Sequence, residues 1–235
     1  MSSEWKAKRF WTEVKIVPED GGFVIELDGR RVKTPAKAGL TLPTQAMAQA
    51  VAAEWDAQQG EVNPLTMPVT RSANAAIDKV AHQHGEVADM LAAYGDSDLL
   101  CYRAEAPEEL VQRQAAEWNP ALDWADEILG VRLSARAGVI HHAQEPGDLA
   151  RLTARVHALN MYQMAAFHDL VSLSGSLILG FGAALDWREP DAIWALSQLD
   201  ERWQVEQWGP DEDAQAMTEI KRQAFLHAKR FYDFS

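Results

Sequence analysis

Residues Gly60-Glu-Val-Asn-Pro-Leu-Thr-Met-Pro68 divide the chain into two kinds of sequence. Two prolines and a glycine without an apolar period read as a connection between elements. Upstream, Phe10-Trp-Thr-Glu-Val-Lys-Ile-Val17 and Phe23-Val-Ile-Glu-Leu27 hold β-favouring residues in partial alternation, and Glu19-Asp-Gly-Gly22 and Asp28-Gly29 are turn signals. Arg30-Arg-Val-Lys-Thr34 completes a hairpin, and Leu40-Thr-Leu42 can add a short strand. Thr44 then caps a helix on which Met47, Val51 and Trp55 recur at helical spacing. Downstream, helical periodicity predicts segments over 69–84, 86–94, 107–129 with a break or kink at Pro120, 147–167, 169–184, 189–208 and 211–232. Residues 131–142 are ambiguous and can be extended. The fold class is α+β: a small N-terminal antiparallel β-rich domain with one helix over 1–64, then a larger C-terminal α-helical bundle over 65–235.

Composition narrows the function. An apolar fraction of 47% and a charged fraction of 24% belong to an ordinary globular protein. The net charge of −13 argues against nucleic acid, which is held by clustered Lys and Arg. Residues 1 to 37 carry 8 basic and 6 acidic groups, leaving 14 basic and 29 acidic for the remainder. One cysteine, Cys101, rules out an intrachain disulfide and a Cys-based zinc site, which suits a reducing compartment. Met1 to Arg9 lacks the apolar core of a signal peptide, so a bacterial cytoplasm is expected, or a mitochondrial matrix for a processed eukaryotic form. The most apolar run, Leu170 to Leu185, spans about 24 Å as a helix, short of a bilayer core of about 30 Å. Its serines and glycines read as close packing in a buried helix, and no membrane insertion is expected.

Signatures of catalysis are missing. The chain has no phosphate-binding glycine loop and no Gly-x-Ser-x-Gly, and Gly175, Gly180 and Gly182 lie in an apolar helix. His82-Gln-His84 and His141-His142 read as surface or loop histidines, and Cys101 among apolar neighbours reads as a small core residue. No metal and no cofactor is expected. Asp211-Glu212-Asp213 has a sufficient structural role in the first turn of the last helix.

Asp200 is the exception. With 189–208 as one helix, Asp200 lies roughly 40° from Leu196 and roughly 60° from Trp203, among apolar residues that include Ile193. Trp194, Val205 and Trp208 form a second apolar patch beside Glu201. A carboxylate in that setting either meets an internal Arg, Trp or Gln donor or faces a site that another molecule completes. Physics alone favours the internal donor.

Several phrases resemble one family. They are Arg9-Phe-Trp11, Gly29-Arg-Arg-Val-Lys-Thr-Pro-Ala-Lys37, Glu54-Trp-Asp-Ala-Gln58, Asp96-Ser-Asp-Leu-Leu-Cys-Tyr-Arg-Ala104, Trp118-Asn-Pro-Ala-Leu-Asp-Trp124 and Leu199-Asp-Glu-Arg-Trp-Gln-Val-Glu-Gln-Trp-Gly209. In this order they resemble the assembly chaperones of the F-type ATP synthase that bind its isolated alpha subunit, found in mitochondria and alphaproteobacteria. The resemblance implies a β-rich domain joined to a helical one, no catalysis, and a partner in the alpha subunit, held until a beta subunit replaces the chaperone. An acidic position important in the family carries over jointly to Asp200 and Glu201, the family usually having Glu where this chain has Asp200. Asp200, Glu201, Trp203, Gln204 and Trp208 are therefore the expected partner-binding residues, while Trp55, Trp118 and Trp124 are expected in the core. The alternative is a small-molecule enzyme with an interdomain cleft, using Asp200 and Glu201 with His141 or His142 for acid and base work.

Overall fold

A computed structural model describes residues 8–235, so the reading of Met1 to Arg9 as lacking a signal peptide lies outside the described residues up to position 7. The backbone gathers into two compact units. One takes the chain up to Gln83 with Met161–Ala165 and Phe231–Ser235; the other takes His84–Asn160 and Ala166–Arg230. The boundary expected between 64 and 65 falls in a 3-10 turn, Pro64–Thr66, of the first unit.

The first unit is built on a sheet, as the α+β expectation requires. Strands β1 (Val14–Glu19) and β2 (Gly22–Leu27) pair antiparallel from Val14 opposite Leu27 to Glu19 opposite Gly22. The other edge of β2 takes β3 (Arg30–Arg31) at one end and β4 (Thr41–Leu42) at the other. Asp28 and Gly29 both have positive φ, 48° and 77°, as the tight turn that matches strand twist demands. Gly22 has no substitute, because a Cβ there would lie 2.2 Å from the Leu42 carbonyl oxygen.

Helix α1 (Gln45–Asp56) starts where Thr44 accepts from the Met47 amide at 3.2 Å and lies against β1 and β2 with Met47, Ala48 and Val51 buried. Met47 and Val51 each contribute about 1.5–3 kcal/mol by leaving water. Glu54 then does a second job. Its carboxylate accepts from the Val69 and Thr70 amides at 2.7 and 2.8 Å, satisfying the open N-terminus of α2 (Pro68–Asp78). The connection between these helices is held as well, for Gln58 accepts from the Asn63 amide and donates to the Thr66 hydroxyl. Arg9 donates to the Asp56 and Gln58 carbonyls, and Trp11 meets Trp55 edge-on at 5.3 Å. Two phrases of the resemblance are thus one fastening.

The second unit is helical. Helix α3 (His84–Ala92) packs on α5 (Pro146–His157), and α4 (Glu108–Trp124) runs through Pro120 into a wider turn ended by Gly130 at φ 68°. Within 131–142, β6 (Arg136–Ala137) is extended and pairs in parallel with β5 (Tyr102–Arg103).

Three expected helices are each divided. The segment 147–167 breaks after α5 at Leu159-Asn160, and α6 (Met161–Ser174) follows. The segment 169–184 breaks at Gly175, φ 71°, because Ser176 and Asp98 capture the first amides of α7 (Leu177–Ala184). The segment 189–208 breaks at Gln198 into α8 (Pro190–Ser197) and α9 (Leu199–Trp208), where the Ser197 hydroxyl turns back to the Trp194 carbonyl at 2.7 Å. Helix α10 (Glu212–Asp233) closes the chain.

All of α7 is buried, which explains its glycines: a Cβ on Gly180 would stand 2.6 Å from Val171 Cγ2. Asp98, fully buried, accepts from Leu100 N, Ser176 Oγ and Ile178 N at 2.7–3.0 Å. Burial pushes its carboxyl up to about 6 against the pull of those donors.

Candidate functional site

The break at Gln198 aims α9 along α4. Gln114 and Trp118 lie one turn apart on α4, and both reach the α8–α9 corner. The Trp118 indole donates to the Leu196 carbonyl at 2.9 Å, and the Gln114 side-chain amide donates to Asp200 Oδ1 at 2.7 Å. Arg113 and Glu117 flank them. Arg113 pairs with Glu206 at 2.6 Å, and Glu117 meets Arg202 at 3.4 Å. Those hydrogen bonds lower the carboxyl pKa of Glu206 and raise that of the Arg113 guanidinium.

Beneath this clasp lies Arg103. Its guanidinium sits 5.3 Å from the centre of the Trp118 ring and donates to the Leu100 and Gln114 carbonyls. Burial pushes its pKa down, and the nearby Asp200 carboxylate opposes that shift. Ala104 N donates to Gln114 Oε1 at 2.8 Å, so one carboxamide spans β5 and α9.

The five expected binding residues separate accordingly. Asp200 and Trp203 are half-buried on the inner margin, with Asp200 meeting the internal Gln donor that physics favoured. Glu201, Gln204 and Trp208 are exposed, Trp208 at 78%. Of the tryptophans expected in the core, Trp118 is fully buried, while Trp55 and Trp124 are half-buried, Trp124 lying tilted by 31° against Trp187 at 5.6 Å. Cys101 is buried, with its thiol pushed up to about 12 by that burial.

The groups of the enzyme alternative do not meet. His141 contacts Asp96 at 3.2 Å and the Tyr102 hydroxyl at 3.1 Å, and His142 lines a shallow pocket with Asp96, Tyr102 and Arg136. Asp200 and Glu201 are not among its lining. Among the described residues, no group of three His, Cys, Asp or Glu side chains is placed to hold a metal, and no helix is long and apolar enough to cross a membrane.

Sequence reading missed Arg113, Gln114, Glu117 and Arg202, which hold α9 in place. Their signal was present: positions 113, 114, 117 and 118 share one face of α4. Also missed was the start of α10, where every residue from Glu212 to Ile220 except Thr218 is exposed.

Fold and site define an α+β protein whose helical unit fastens one helix internally by polar pairs and presents that helix's far side, aromatic and acidic, to its surroundings. The family described as ATP12 chaperone protein matches residues 8–126. The mitochondrial protein atp12 of Schizosaccharomyces pombe is 30% identical over 219 residues, 88% of this chain and 75% of that one. The crystal structure of Atp12 from Paracoccus denitrificans is 47% identical with a TM-score of 0.96, covering 98% of this chain and 99% of that one. An aspartate-to-lysine variant of the Paracoccus protein superposes equally well, at 46% identity over 99% of each chain. The chain belongs to the ATP12 chaperone family.

Proposed function

We propose that this protein is a non-catalytic assembly factor that binds the unassembled alpha subunit of the F-type ATP synthase and keeps it from aggregating until a beta subunit takes its place. Asp200, Glu201, Trp203, Gln204 and Trp208 on α9 form the contact. The observation that carries this reading is the two-sidedness of α9: Gln114, Glu117 and Arg113 occupy one side, and Glu201, Gln204, Val205 and Trp208 are left exposed. An indole 78% exposed is uncommon unless another surface covers it in use. Acidic neighbours keep such a surface soluble meanwhile.

Co-expression tests it. The alpha subunit should stay soluble and copurify with this protein, and Glu201→Lys with Trp208→Ala should lower recovery without changing the helical circular dichroism. An alpha subunit equally insoluble with and without this protein, with no complex recovered, overturns the reading.

A further inference from the structure

Helix α10 continues beyond the packing that holds it. Its attachment within the helical unit begins at Arg222, paired with Asp191 at 2.6 Å, and at Phe225, 5.6 Å from Trp194. In the two and a half turns before that, Glu212 to Ile220, every residue but Thr218 is exposed; Asp211 accepts from the Ala214 amide at 3.0 Å, and Glu219 reaches forward to Arg222 and Gln223. Met217 and Ile220, one turn apart on one face, are 53% and 63% exposed. On α9, Val205 and Trp208 are likewise one turn apart and 40% and 78% exposed. Only Gly209 and Pro210 separate Trp208 from Asp211, three backbone steps with a reach of at most about 11 Å.

The charges around these four apolar residues are mostly acidic: Lys221 beside Ile220 and Arg202 one turn before Val205 are the basic ones, and Glu206 and Glu219 are paired with Arg113 and Arg222. From Gln204 to Glu219 there are five carboxylates, Glu206, Asp211, Glu212, Asp213 and Glu219, and no Lys or Arg. Two copies of such a face would set carboxylates against carboxylates in a symmetric dimer. A complementary partner has an apolar centre rimmed by Lys and Arg.

We propose that the exposed start of α10, with Met217 and Ile220, is a second half of the α9 docking surface and seats a protein face whose apolar centre is ringed by basic side chains. This rests on the reading of α9 as the helix that meets the alpha subunit, which is then the protein carrying that basic-rimmed face.

The measurement is the affinity of the full chain for the alpha subunit, by pull-down and titration, with circular dichroism as the check on folding. Met217→Asp with Ile220→Asp should weaken binding at least about tenfold, and Glu212→Gln with Asp213→Asn should flatten the loss of affinity between about 0.05 and 0.5 M salt. Retention of the alpha subunit by wild type and by the Met217/Ile220 variant alike overturns the second surface and leaves the α9 reading standing. No retention by wild type overturns both. A wild-type dimer that the Met217/Ile220 pair dissolves overturns the basic-rimmed occupant in favour of a second copy.

Discussion

Gln114 holds Asp200: its side-chain amide donates to the carboxylate at 2.7 Å while its own oxygen takes the Ala104 amide at 2.8 Å. The carboxylate that stood out in the sequence is therefore fixed from within the unit, and it sets where α9 begins.

Replacing Gln114 by Ala leaves both a half-buried carboxylate and the Ala104 amide without their partner. A loss of about 2–3 kcal/mol is expected, read as a lower urea midpoint. Gln114→Glu should cost at least as much at neutral pH, since it opposes two carboxylates. Adding Asp200→Asn should recover part of that loss, and a double-mutant cycle without such coupling would separate the two residues.

Asp98 makes an unusual pH signature. Its folded-state pKa is raised by burial from 3.8 to about 6, so between those values the folded chain binds a proton that the unfolded chain has lost. The contribution of Asp98 to stability is therefore complete below about pH 4 and falls as pH rises through about 6, by on the order of 3 kcal/mol. Measured against Asp98→Asn, the advantage of the wild type should shrink over that window. An advantage that grows with pH would contradict the assignment.

Gly180 is a packing position. Gly→Ala inside a helix ordinarily stabilises by up to about 1 kcal/mol. Here the added methyl meets Val171 Cγ2 at 2.6 Å within a fully buried helix, so a net loss of about 1–3 kcal/mol is expected. Removing the obstruction with Val171→Ala should make Gly180→Ala less harmful, and thermal melts of the four combinations would show it.

The sheet was legible because its causes are local. Asp28-Gly29 requires positive φ, Thr44 sits beside the amides it caps, and strand alternation is read residue by residue. The divisions at Asn160, Gly175 and Gln198 were not legible, since α7 starts where a carboxylate 80 residues before Ile178 claims that residue's amide. Nor could the partner of Asp200 be named, because Gln114 lies 86 residues away and helical spacing relates only neighbours. Trp208 stood out by type, but its exposure could not be read from the sequence.

The first unit is gathered from the beginning, the middle and the end of the chain, and this orders events on the ribosome. Thr41 offers its carbonyl to the Tyr162 hydroxyl, and the Thr44 hydroxyl gives its proton to the Phe234 carbonyl. Translation makes the sheet and α1 first and supplies these two partners only 121 and 190 residues after Thr41 and Thr44. Any product stopped before Phe231 lacks a piece of its own first unit, so that unit cannot close until residues 231–235 have been made.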